Sequence, residues 1–194
     1  MARTPEAILD DLLVLEAQRG RPDAWRALVG RWHPLLLGRA VRLLGDRHLA
    51  ADAVQDAWTS IARGIARLED PARFAPWAYR ILARRCADHV RRAVRRPDRP
   101  ADVRGTPAPP GPLGRAEAEA VAAVRAAIST LSGEQRLLLT LRYVDGVPLA
   151  VVADLLGIPE GTVKSRLHTA REALRRLLEP RETDQREGAS HGRA

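Results

Sequence analysis

The chain has 194 residues, with 32 Lys and Arg against 24 Asp and Glu, and a formal net charge of +8 at pH 7. That length holds one large domain or two small ones, and the basic surplus favours polyanions: nucleic acid or an acidic membrane surface. A single cysteine excludes an internal disulfide, no apolar run is long enough to span a bilayer, and the start, with Glu6, Asp10 and Asp11, is not a secretory signal. The chain therefore reads as cytoplasmic, without membrane insertion. Every basic residue except Lys164 is arginine, so part of the basicity reflects a GC-rich genome.

Helical periodicity dominates and strand alternation is nearly absent, so the expected fold is all-α: two small helical domains joined by a Pro/Gly-rich linker. The N-terminal domain is expected over 8–95. Within it one helix is predicted from about Leu49 to Leu68. Val54, Ala57, Trp58, Ile61, Ile65 and Leu68 share its apolar face, and Asp52, Gln55, Asp56, Thr59 and Arg63 the opposite one. Carboxylates on an exposed face repel DNA phosphates, so this face suggests a protein partner. A second helix is predicted from about Pro76 to Arg95. Tyr79, Leu82, Ala83, Cys86 and Val90 form its buried stripe, which makes Cys86 a core residue rather than a reactive thiol. Its other face carries Trp77, Arg80, Arg84, Asp88 and Arg91. An aromatic ring beside a row of arginines suits unpaired nucleic acid, the ring stacking on a base while guanidinium groups hold phosphates. The alternative is that Trp77 only anchors the helix start.

Residues 96–114 hold six of the fourteen prolines, a density that no helix or central strand survives, so they form the linker. The C-terminal domain is expected over 115–179, followed by a polar, disordered tail over 180–194. From Pro148 to His168 the pattern is helix, tight turn, helix. Pro148 suits a helix start, Gly157 the positive φ that ends one, and Pro159 the start of the next. Val163, Leu167, Ala170, Leu174 and Leu177 make the docking stripe of the second helix. Ser165, His168, Thr169 and Glu172 face away from it, flanked by Lys164, Arg166, Arg175 and Arg176. This is the layout of a helix-turn-helix, whose second helix enters the DNA major groove.

In these motifs the chain resembles an alternative sigma factor of bacterial RNA polymerase, of the compact extracytoplasmic-function (ECF) group. Trp32–Asp46 looks like the start of the first sigma domain, Asp52–Trp58 like its polymerase-binding helix, and Phe74–Asp88 like the segment that reads and melts the −10 promoter element. Leu131–Arg136, Leu141–Gly146 and Gly161–Leu167 look like the second sigma domain, which reads the −35 element. The resemblance implies a factor that binds core RNA polymerase and promoter DNA, with an anti-sigma factor as a further partner. It implies polymerase contacts at Asp52, Gln55 and Asp56. The −10 contacts would be Trp77, Arg80, Arg84, Arg85, Asp88 and Arg91, and the −35 contacts Lys164, Ser165, Arg166, His168, Thr169 and Arg171. Ala51, Arg85, Val151 and Thr169 depart from residues common in the group, which bears on promoter choice rather than on class.

The competing reading is a stand-alone helix-turn-helix regulator. Against it stands an N-terminal domain with no dimerisation heptads and no ligand-pocket motif. Enzyme chemistry finds no support: His48 and Asp52 have a metal-ligand spacing but no third ligand nearby, and no phosphate-cradling loop or nucleophile motif occurs. No catalytic residue, metal, cofactor or small-molecule substrate is expected.

Overall fold

A computed structural model describes residues 4–95 and 115–179; the expected linker (96–114) and tail (180–194) lie outside them. Helix α1 (Pro5–Gln18) begins at a Thr4 side-chain cap with proline in its first turn, and α2 (Pro22–Leu44) closes at Gly45 in the left-handed region, φ 71°. Asp46 follows at once as the N-cap of α3 (Arg47–Gly64), its carboxylate accepting from the backbone N–H groups of His48 and Leu49 at 2.7 and 3.0 Å. The α3 helix thus starts two residues before the expected Leu49. It also stops at Gly64, and Ile65–Arg67 continue as one turn of 3-10 helix, leaving Leu68 half-buried beyond it. Two tertiary bonds hold that exit, where the Gln18 side-chain amide donates to the carbonyls of Ile65 and Leu68 at 2.8 and 2.7 Å. Helix α4 runs from Phe74 to Arg95.

The faces pack as the periodicity requires. Leu28, Leu36 and Leu43 of α2, Val54 and Ile61 of α3, and Phe74, Leu82 and Cys86 of α4 are all essentially inaccessible. Each such side chain contributes about 1.5–3 kcal/mol relative to exposure. Ala78 is buried in the α4 stripe, whereas Tyr79 is only half-buried and takes the Arg39 guanidinium on its ring, 4.7 Å from the centroid. Burial pushes the Cys86 thiol up to about 12, as expected of a core cysteine.

The second unit comprises α5 (Arg115–Thr130), α6 (Gly133–Leu139), a π-helical turn (Thr140–Val144), α7 (Leu149–Leu156) and α8 (Glu160–Leu178). Ser132 and Gln135 form a reciprocal capping box at the start of α6. Gly157, φ 63°, ends α7, and Pro159 sits at the N-cap of α8, so the helix-turn-helix has the expected punctuation. Val163, Leu167 and Ala170 are buried against the unit and Leu174 is half-buried. Leu177 is 48% exposed, and the whole last turn of α8, from Arg175 on, is exposed with it.

The two units dock. Helix α6 packs on α2 and α4, α7 packs on α4, and the buried residues form one continuous core. At the seam Arg136, 5% exposed, reaches across: Nη1 donates to the Leu44 carbonyl at 2.6 Å, while Nε and Nη2 donate to Ile128, Ser129 and Leu131 carbonyls in its own unit at 3.2, 2.6 and 3.1 Å. The last carbonyls of a helix lack intrahelical partners and carry the negative end of its dipole. One guanidinium therefore caps the C-termini of α2 and α5 together. Burial pulls its pKa down and the nearby Asp46 carboxylate opposes this.

Candidate nucleic-acid interface

The six residues expected at the −35 element lie on the solvent face of α8. Lys164, Ser165, Arg166, His168, Thr169 and Arg171 are all exposed, while Val163, Leu167 and Ala170 face inward. Successive turns carry Lys164, His168 and Arg171 along one ridge, with Ser165 and Thr169 beside it. The two hydroxyls donate back to carbonyls of their own helix, Ser165 to Thr162 at 3.0 Å and Thr169 to Ser165 at 3.2 Å, which leaves oxygen lone pairs facing outward. Arg166 differs from its neighbours: its guanidinium is paired with the Glu134 carboxylate of α6.

On α4 the expected −10 residues divide between two clefts. Trp77 and Arg80 line a cleft of about 690 Å³ together with Arg67, Asp70 and Arg73 from the turns between α3 and α4. The Trp77 ring is half-buried. It lies 6.1 Å from Phe74, and a Cβ on Gly64 would come within 3.0 Å of it, so glycine is what lets α3 pass beneath the indole. Trp77 thus both anchors the helix start and presents ring surface to the cleft. Arg84, Arg85, Asp88 and Arg91 line the second cleft, about 410 Å³, beside Ser60. Asp88 organises it: one carboxylate oxygen takes Arg85 at 3.1 Å and the other takes Arg91. Arg85 also donates Nε to the Ser60 hydroxyl at 3.1 Å.

The acidic face of α3 is partly as expected. Asp52 and Gln55 are exposed. Asp56 is only half-exposed, because Oδ2 lies 2.9 Å from His89 Nε2 of α4, with Arg92 at 3.8 Å. The helix wheel placed Asp56 on the outer face correctly but did not show α4 bringing a histidine to it. Among the described residues no group of three or more His, Cys, Asp or Glu side chains converges on a metal-sized site, and no helix is long and apolar enough to cross a membrane.

Residues 28–96 match the family Sigma-70 region 2, and residues 122–174 match Sigma-70, region 4. The RNA polymerase sigma-H factor of Pseudomonas aeruginosa is 32% identical over 186 residues, covering 88% of this chain and 94% of its own. The ECF RNA polymerase sigma factor SigM of Mycobacterium tuberculosis is 37% identical over 150 residues, covering 76% of this chain and 74% of its own. The chain belongs to the ECF group of sigma factors. A solved structure of the sigma factor RpoE from Bartonella quintana, in complex with the anti-sigma factor NepR, shares the fold with a TM-score of 0.55 and 24% identity, over 79% of this chain and 96% of that one. This sigma factor is accordingly an alternative initiation factor that binds core RNA polymerase and promoter DNA and directs transcription initiation.

Sequence reasoning missed four side chains that shape these surfaces: Glu134, His89, Arg39 and Arg136. Arg136 left a trace, since it directly precedes the apolar run Leu137–Leu139, whose residues are all buried. A charge in that setting needs buried acceptors. The other three left none, because their partners are remote in sequence.

Proposed function

We propose that the N-terminal unit docks on core polymerase through the Asp52 and Gln55 face of α3, with Asp56 at its edge, and holds the opened −10 strand along α4. The C-terminal unit reads the −35 element with Lys164, Ser165, Arg166, His168, Thr169 and Arg171 of α8. The domain limits are 8–95 and 115–179. The observation that carries this reading is the Trp77 cleft. The half-buried indole turns its open surface to a cleft lined by Arg67, Arg73 and Arg80 and by the carboxylates of Glu69 and Asp70, so an unpaired base finds a stacking partner and its flanking phosphates a rim with cations in excess. Base-edge contacts from α8 would specify sequence, and phosphate contacts from its arginines would set register. The protein works as a binding factor in the cytoplasm rather than as a catalyst. Its relative in complex with NepR supports an anti-sigma factor as a further partner.

Stacking is worth about 1–3 kcal/mol per base, and that gain exists only once the duplex opens. Trp77→Ala in the reconstituted holoenzyme should therefore reduce transcription more on duplex promoter than on a template with a pre-melted −10 region. Equal losses on both templates would reduce Trp77 to a helix anchor. A stand-alone regulator would bind its site with full specificity in the absence of core polymerase.

A further inference from the structure

We propose that the outer face of α1 is a self-association surface, through which two copies of the free protein pair as antiparallel helices.

Helix α1 lies before both matched family regions, the first of which starts at residue 28, and it carries none of the residues assigned above to polymerase or DNA. Its inner face is used within the N-terminal unit: Val14 is fully buried, and Gln18 bonds the turn that follows α3. The outer face is apolar as well. Ile8, Leu9, Leu12 and Leu15 are 57, 44, 53 and 40% exposed, four of the ten large hydrophobic side chains left exposed among the described residues. Steps of four and three put Ile8, Leu12 and Leu15 on one line, with Leu9 beside it and Arg19 continuing it past the helix end. Single exposed leucines need no partner, but a contiguous row on one helix marks an interface. The row spans only two turns, too short to register as a heptad repeat.

The charges around the row choose its occupant. Asp10 is held by Arg31 of α2 at 2.6 Å, so Glu6 and Asp11 make the N-terminal half of the helix acidic. Arg19 and Arg21 follow the C-terminus with side chains 70 and 72% exposed, and Glu16 offsets only one of the two. Carboxylates beside the row repel the phosphates of nucleic acid and of an acidic membrane. A second copy laid parallel would set acid on acid. Laid antiparallel and centred near Leu12, it sets the basic end of each helix on the acidic end of the other and pairs the two helix dipoles in opposite sense. Ile8 of one protomer then meets Leu15 of its partner, and Leu12 meets Leu12, the self-complementary arrangement that two-fold symmetry requires. Exposed ion pairs add little strength, so the charges set direction and the apolar row supplies the attraction. One helix face per protomer is at the small end of specific interfaces, which makes the dimer a weak one, with a Kd on the order of 10 μM. It is therefore a form of the accumulated free protein that dissociates on dilution.

Sedimentation velocity of the full-length chain should show a monomer–dimer equilibrium in that range. Leu12→Glu should weaken it by at least about tenfold, with helical circular dichroism unchanged because Leu12 is already half-exposed. Cross-linking reads the direction. Cys86 is buried, so an introduced thiol reports alone. Leu12→Cys should form an intermolecular disulfide under mild oxidation, because residue 12 meets its own copy at the two-fold axis. Ile8→Cys should do so only when mixed with Leu15→Cys. Wild type that stays monomeric at about ten times the expected Kd overturns the proposal; if Leu12→Glu then weakens pull-down of core polymerase, the row is a polymerase contact instead. A dimer that Leu12→Glu leaves intact overturns the assignment to α1. Self-cross-linking of Ile8→Cys as fast as that of Leu12→Cys overturns the antiparallel register.

Discussion

At the scale of single residues, exposure alone does not rank the candidates; the partner of each side chain does. Lys164 and Arg166 sit two positions apart on α8, yet only Arg166 is paired, with Glu134. DNA must break that pair before it gains the guanidinium, so the two residues should differ when truncated. Lys164→Ala should cost about 1–3 kcal/mol of promoter affinity if its contact is a base edge, and Arg166→Ala less. A phosphate contact would instead weaken all sequences alike and flatten the salt dependence. Holoenzyme titrations on promoter and scrambled DNA at two salt concentrations separate these outcomes. Equal losses from both variants would mean that Glu134 does not compete. Cys86 gives a second residue-scale test. With its pKa pushed up to about 12 by burial, the thiol stays protonated throughout the neutral range, and the side chain is inaccessible. The native protein at pH 8 should not react with Ellman's reagent, and one equivalent should appear on adding guanidinium. Rapid reaction without denaturant would place Cys86 outside the core.

Elements bring in caps and faces. Asp46 closes the break between α2 and α3, capping two N–H groups while lying near Arg136. Asp46→Ala should lower stability by about 0.5–2 kcal/mol, the range for loss of an N-cap, measured by urea unfolding; an unchanged midpoint would show that water replaces the carboxylate at no cost. The acidic face of α3 then divides in two. Asp52→Arg should weaken pull-down of core polymerase and leave the melting temperature alone, because Asp52 is exposed. Asp56→Arg should lower both, because it sets a second cation against His89 and Arg92. If Asp52→Arg binds core polymerase like wild type, α3 is not the docking face. Much at this scale was legible in the sequence. The stripes of α4 and α8 and the glycine and proline marks of the helix-turn-helix follow from period and backbone chemistry. The errors share one physical origin. Periodicity reports which side of a helix is apolar, not where its neighbours end. The α3 stripe ran on to Leu68 although the helix tightens after Gly64, and Leu177 kept the α8 register although about half of it is exposed. Asp56 with His89 and Arg166 with Glu134 are long-range pairs, invisible to any local window.

For the whole molecule, two arrangements make opposite demands on the linker. The docked form, held by a Leu44–Arg136 bond across 92 positions of sequence, had no signature in the pattern. It brings the units into contact and makes no use of reach. Promoter recognition does need reach, since elements two DNA turns apart are separated by roughly 70 Å. A segment of this composition, if extended as polyproline at about 3.1 Å per residue, would supply on the order of 60 Å over about twenty residues, and the width of the units would make up the difference. Length should therefore matter and side-chain identity should not. Replacing 101–112 with a Gly/Ser stretch of equal length should preserve most transcription by the holoenzyme. Deleting 101–112 should abolish transcription from promoters of normal spacing while leaving the helical content intact, because α1–α4 and α5–α8 each keep their own buried stripe. Shortening the spacer DNA between the two elements should then restore part of the activity to the deletion variant and none to a variant that has merely unfolded. Full activity of the deletion variant on normally spaced promoters would show that the two units do not read separated elements together.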